Sequence, residues 1–313
     1  MVRSTGAFLV GAGVLALGAV GVGVACNPLF GIEDRSAGPT WCEEDAQSPS
    51  IYCDDFDRVS QSTQRDQLQI SLGGTVGVTN AESSSAPNSL EAKATGVANT
   101  LVGSIASLGP VPPGQGILCQ LDVPTADLSA LATGTSSVGV FGVGAAESNT
   151  GDAIDLLVVF LGPTQETITL ERAVSSTGVV QLGMSCPIQG GLSVTQALGG
   201  PAGTDNPWVR LTMAVAPTDG GVPEGGCLLG QMAPTMDGGS PKDGGGAAKD
   251  GGAVTVWAVR IAAGPLTPGD IYFPAEDFAS AAYFIYGLAF QGAGAASTVH
   301  VDNARCQLIP SLP

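Results

Sequence analysis

The chain offers one histidine for acid–base or metal chemistry, His300, and it stands two residues before Asp302 in Val299-His300-Val301-Asp302-Asn303. Residues i and i+2 share a face of a strand, so an imidazole and a carboxylate lie side by side, the types general acid–base work needs. A hydrolase would add an activated serine. The sequence has no G-x-S-x-G, and its nearest stretch, Gly183-Met184-Ser185-Cys186-Pro187, ends in proline. His300 therefore reads as an exposed strand histidine beside a carboxylate, and no catalytic residue is assigned. Asp54, Asp55 and Asp57 form a second group. Carboxylates this close repel unless a hard cation such as Ca²⁺ neutralises them. Trp208 and Arg210 put an aromatic ring and a guanidinium on one strand face, the types a binding surface uses. The seven cysteines (26, 42, 53, 119, 186, 227 and 306) include no C-x-x-C, which removes the zinc-ribbon and thioredoxin-like spacings.

These residues sit in a strand-and-turn pattern. From about residue 50 onward no twelve-residue segment has a helical period; short β-rich runs recur, separated by Gly, Pro, Asn, Asp and Ser. The runs include 50–56, 68–79, 116–123, 153–161, 208–216, 283–290 and 298–306. The spacing predicts an all-β fold, a two-sheet sandwich occupying 49–309 as a single domain. Alternation puts Val209, Leu211, Met213 and Val215 on one face and Arg210 and Thr212 on the other. In 299–305 it groups Val299, Val301 and Asn303 against His300, Asp302 and Ala304. The run 153–161 is apolar on both faces, so it is expected to be covered on both sides. Residues 236–253 (MDGGSPKDGGGAAKDGGA) cannot bury a core and read as a mobile Gly/Asp-rich loop. Their Asp-Gly steps lack the alternating acids and terminal Glu of an EF-hand.

The net charge of −17, with 11 Lys and Arg, leaves no basic footprint, so nucleic acid is excluded as a partner. Hydrophobic residues at 44% against 12% charged exclude a disordered chain. Arg3 precedes an uncharged run, Gly6 to Ala25, that ends in small residues before Cys26. Gly11 to Ala16 loosely matches a dinucleotide fingerprint, but no strand precedes it. The segment Gly23-Val24-Ala25-Cys26 resembles the cleavage site of a bacterial lipoprotein signal. That resemblance implies a signal peptide at 1–25, lipid on Cys26, a tether at 26–48 carrying Trp41, and a membrane as partner. The chain would then be held at the cell envelope, on the outer membrane or a periplasmic face. Secretion follows if Cys26 is not lipidated. An uncleaved anchor is the third reading, although the run is glycine-rich for a spanning helix. In an oxidising compartment the six remaining cysteines, Cys42, Cys53, Cys119, Cys186, Cys227 and Cys306, form up to three disulfides whose pairing stays open.

Four segments carry a family resemblance: Tyr52-Cys53-Asp54-Asp55-Phe56-Asp57, Ala86-Pro87-Asn88-Ser89-Leu90-Glu91-Ala92, Trp208 to Val215, and Val299-His300-Val301-Asp302-Asn303-Ala304-Arg305. Together they resemble the concanavalin A-like lectin/glucanase superfamily, including its laminin-G-like jelly rolls. The resemblance implies a two-sheet antiparallel jelly roll whose first and last strands pair, with Cys53 and Cys306 on neighbouring strands. It also implies a structural calcium where those strands meet, for which Asp54, Asp55, Asp57 and Asp302 are the candidate ligands. Members bind glycans or proteins, or cut β-glucans with E-x-D-x-x-E on one strand. That motif is absent. Asp152 to Val159 has Val or Leu in place of the glutamates, and Glu166 and Glu171 fall on opposite faces. The expected function is an exported, lipid-anchored envelope protein that binds a glycan or protein partner without catalysis. Trp208, Arg210 and His300 are the ligand-binding candidates. A divergent glycan hydrolase or lyase is the alternative, and a structural envelope protein without ligand the second.

Overall fold

Leu211, Met213 and Val215 are fully buried, while Arg210 and Thr212 turn to the opposite face and bond polar neighbours there. This is the period-two pattern of a strand with one side in a core. The computed structural model describes residues 42, 50–56, 67–84, 88–132, 137–146, 153–161, 167–174, 178–187, 208–218, 227–229, 256–263, 271–274, 281–290 and 292–312. The expected signal peptide, Cys26, the tether apart from Cys42, Asp57 and the 236–253 loop lie outside the described residues. Among the described residues no helix is long and apolar enough to cross a membrane.

The larger sheet has the order β12 (Cys227–Leu228), β14 (Ile271–Pro274), β13 (Val256–Ala263), β11 (Trp208–Thr218), β6 (Gly116–Pro124), β16 (Ser297–Ile309), β4 (Ser89–Ala94), β3 (Gly74–Thr79). Strand β1 (Ser50–Asp54) pairs with the far half of β16, beyond the end of β4. The smaller sheet runs β10 (Gly178–Pro187), β9 (Thr167–Val174), β8 (Ala153–Leu161), β7 (Val138–Ala146), β15 (Ala282–Phe290), β5 (Thr100–Gly109), β2 (Gln67–Leu72). Apart from the two-residue parallel contact of β12 with β14, the described pairings are antiparallel. The architecture is a two-sheet antiparallel β-sandwich.

The first and last strands pair, with Tyr52 opposite Cys306 and Cys53 opposite Arg305. The two cysteines are neighbours but bond elsewhere. Cys53 joins Cys42, and Cys306 joins Cys119, its in-register partner on β6. Cys186 of β10 joins Cys227 of β12, stapling one sheet to the other.

The core between the sheets holds Leu90, Ile117, Leu121, Phe141, Phe284, Tyr286 and Phe290. Strand β8 is covered on both faces, as its pattern predicts. Leu157, Val159 and Leu161 enter the central core, while Leu156, Val158 and Phe160 join a second cluster with Leu101, Ile105 and Ile285 on the opposite face. Gly144 on β7 makes that second cluster possible, since a Cβ there would sit 2.4 Å from Leu156 Cδ2.

Two local features depart from the expected pattern. An eight-residue helix, α1 (Thr125–Ala132), follows Pro124, and Leu128 and Leu131 anchor it to the core. Asp127 in its first turn suits the positive end of the helix dipole. The second is a bulge in β16, where the register against β6 shifts between Asp302 and Arg305 and Asn303 takes φ +50°. The extra residue corrects the alternation. Ala304 enters the core, and the Asn303 side chain reaches Asp122 instead of the core.

Candidate functional site

The outer face of the larger sheet carries a cluster of hydrogen-bonded polar side chains. Arg210, Asp122 and Asp302 stand opposite one another on β11, β6 and β16. Two carboxylates directly opposite repel, so their surroundings must offset the charge. Arg210 grips Asp122 in a fork, Nε to Oδ1 at 2.8 Å and Nη2 to Oδ2 at 3.0 Å. Asn303 Nδ2 donates to the same Oδ2 at 2.9 Å, and Ser84 Oγ reaches it at 3.3 Å. Asp302, fully buried, accepts the backbone N–H of Ser84 at 2.7 Å and that of Asn303 at 2.7 Å. The hydrogen bonds to Asp122 push the Arg210 guanidinium above its usual range, against the effect of burial. Beside this group, Arg305 Nη2 donates to Gln120 Oε1 at 3.0 Å, and Gln120 Nε2 to Thr212 Oγ1 at 3.4 Å.

His300 is buried at 7% relative exposure, not exposed as the sequence suggested. Alternation reveals which face a side chain takes but not what lies over it. Here α1, strand β4 and the loop after β3 supply the cover. Strand β6 stops at Pro124, where α1 begins, and the His300 N–H goes instead to Asp127 Oδ2 at 2.7 Å. The same oxygen lies 2.9 Å from His300 Nδ1. Glu82 Oε2 lies 3.8 Å from Nδ1, and Glu91 Oε2, opposite on β4, 3.3 Å from Nε2. Lys93 Nζ closes on the other Glu91 oxygen at 2.6 Å. The bond to Asp127 raises the His300 pKa, with the charges of Asp127, Glu82 and Glu91 adding and burial opposing. The Lys93 bond holds Glu91 below the usual carboxylate range.

The partner of the imidazole is thus Asp127, from the helix, rather than Asp302. The three binding candidates differ in access, since His300 is covered while Arg210 is open to solvent. Trp208 and Arg210 of β11 and His300 of β16 lie on the same outer face, with β6 between their strands. Trp208 is half-buried, and the Arg210 side chain is 41% exposed. Sequence reasoning missed Asp122, although one charge between Leu121 and Val123 in an apolar strand marks it. It also missed Ser84, Glu82, Glu91 and Asp127, for which no motif gives a signal.

Among the described residues, the expected calcium ligands Asp54 and Asp302 are not brought together. Asp54 lies opposite Ala304 on the inner face, while Asp302 points outward. Asp54 Oδ1 accepts the Phe56 N–H at 2.8 Å. Its carboxylate also faces the Tyr52 hydroxyl, which lies 2.6 Å from the Tyr286 hydroxyl in the core. Burial first, then Tyr286 and Asp54, push the Tyr52 pKa well above the usual value. Asp55 is buried, and Asp57 lies outside the described residues.

No protein-family model and no curated protein sequence matches the chain. Among solved structures, the chain is similar to an endo-β-1,4-glucuronan lyase from the fungus Trichoderma reesei, at 10% identity and TM-score 0.37, over 78% of this chain and 95% of that one. It is similar to alginate lyase vAL-1 from Chlorella virus at 9% identity and TM-score 0.41, over 83% and 99%. It is similar also to an endo-1,3-β-glucanase from Streptomyces sioyaensis at 10% identity and TM-score 0.35, over 84% and 97%. These likenesses are distant, and no activity or residue role is taken from them.

Proposed function

We propose that the chain is an exported, lipid-anchored envelope protein whose sandwich binds a glycan without cleaving it. The contact surface in this reading is the outer face of the larger sheet. The observation that carries it is the convergence of Trp208, Arg210 and the Asp122 group on one face of adjacent strands. An aromatic residue and a planar guanidinium–carboxylate pair on adjacent strands suit a sugar, which presents an apolar ring face and paired hydroxyls. The same geometry argues against hydrolysis by a carboxyl pair drawn from Asp122, Asp302 and Glu91. Glycoside cleavage needs a carboxyl that stays protonated near neutral pH opposite a second, ionised one. On this face Asp122 is committed to Arg210 and Asn303, Asp302 to two backbone N–H groups, and Glu91 is held below its usual range by Lys93.

A glycan array paired with a reducing-end release assay tests this. The expected result is binding to a subset of glycans, lost in Trp208→Ala and Arg210→Ala, with no product released. Release of sugar would replace the proposal with a divergent hydrolase or lyase. Silence in both assays would leave a structural envelope protein.

A further inference from the structure

We propose that Glu82, Asp127 and His300 form a site for one divalent transition-metal ion of the zinc class. Nothing in the glycan reading requires it, and its three ligands are not among the residues that carry that reading. One ligand atom from each of the three residues lies within 4.8 Å of the others. Tetrahedral zinc with bonds of about 2.0–2.2 Å sets its ligand atoms roughly 3.4 Å apart. The distances from Nδ1, 2.9 Å to Asp127 and 3.8 Å to Glu82, bracket that value.

The imidazole is also held as a ligand would be. Glu91 Oε2 takes the Nε2 side of the ring. In the metal-free chain Nδ1 donates to Asp127; zinc would displace that proton to solvent and take the Nδ1 lone pair, while Nε2 keeps its proton toward Glu91. Such a carboxylate behind a histidine fixes the tautomer and raises the basicity of the coordinating nitrogen. Glu91 is in turn held by Lys93, so that carboxylate and ammonium offset each other. Glu82 and Asp127 are left facing the same nitrogen, where a dication balances both.

The four residues come from four separate elements: the loop after β3, β4, α1 and β16. The Glu82 loop is tied down on both sides. Ser89 Oγ donates to the Glu82 carbonyl, and Ser84 N to Asp302. One imidazole with two carboxylates suits zinc, manganese or ferrous iron. It does not suit calcium, which takes oxygen ligands. With three protein ligands and Glu82 half-exposed at 53%, a fourth position opens toward solvent.

The test uses the tag-free chain, stripped with chelator and titrated with Zn²⁺ alone, followed by calorimetry and by proton NMR of the imidazole. The single histidine makes those resonances unambiguous. We expect one zinc per chain and imidazole shifts complete at one equivalent, with Ca²⁺ leaving the resonances in place. Glu91→Gln should weaken binding about 10–100-fold, and Glu82→Gln at least as much. Glu82 is an exposed loop residue, so its variant keeps the fold, which circular dichroism checks. Zinc that leaves the imidazole resonances unmoved would overturn the site. So would wild-type affinity in Glu82→Gln, an equal response to Ca²⁺, or no binding at stoichiometric zinc.

Discussion

Replacing Cys119 and Cys306 together by alanine should be the most damaging of the three possible disulfide deletions. The bridge spans 187 residues, against 41 for Cys186–Cys227 and 11 for Cys42–Cys53. Most of the stabilisation a disulfide gives comes from loop-closure entropy removed from the unfolded chain. For these three loops the entropy amounts to about 5, 4 and 3 kcal/mol, in that order. Both Cys119 and Cys306 are fully buried in the central core. Lost sulfur packing adds roughly 1 kcal/mol on the scale of small core truncations. The total is comparable to the whole stability of an ordinary domain, about 5–15 kcal/mol. Equilibrium unfolding in guanidinium of the three double-alanine variants, without reductant, measures the order directly. The variant lacking Cys119–Cys306 should have the lowest midpoint, or fail to fold, and the one lacking Cys42–Cys53 the highest. Equal midpoints, or the reverse order, would refute the reasoning that topology sets these contributions.

Three further outcomes are expected. Asp122→Ala should cost about 2–4 kcal/mol, because it removes the buried carboxylate that accepts from Arg210, Asn303 and Ser84. Arg210→Ala should cost less, since its side chain is 41% exposed, and denaturant unfolding of both variants tests that asymmetry. Tyr52, whose pKa burial, Tyr286 and Asp54 raise, is stabilised as the neutral phenol. Its contribution is complete below the unfolded value of about 10 and falls away as pH rises above it toward the folded value. Absorbance at alkaline pH should show Tyr52 ionising only on unfolding, and Tyr52→Phe should remove one tyrosine from that late step. Gly142→Ala should destabilise by more than about 1 kcal/mol on the scale of core overpacking, because its Cβ would lie 2.1 Å from the Leu157 carbonyl oxygen. A thermal melt unchanged from wild type would contradict that packing.

Side-chain alternation made the sheet faces readable. Leu211, Met213 and Val215 are inside, with Arg210 and Thr212 outside, and β8 is covered twice. Arg210 could therefore be placed on the face away from the core, whereas His300, read as exposed, is covered. What alternation could not supply was the third dimension. The β16 bulge depends on Asn303 adopting a left-handed backbone, which asparagine tolerates but no pattern demands. Helix α1 is too short to show a periodic stripe, so Asp127, the main partner of His300, was invisible as one. Asp54 and Asp302 are apart for a related reason. Pairing of first and last strands brings Asp54 near Asp302 along the chain path but says nothing of facing, and the two carboxylates point to opposite sides of the sheet. Disulfide partners 187 residues apart became definite only with the strand register.

The account rests most heavily on the outer face of the larger sheet as a non-catalytic glycan surface. The most direct measurement applies one array-identified glycan to wild type, Trp208→Ala and Arg210→Ala, reading binding and reducing ends in the same sample. The account predicts saturable binding by wild type, loss of at least tenfold in affinity in each variant (about 1.4 kcal/mol), and no new reducing ends. Product release by wild type, or undiminished binding by both variants, would contradict it.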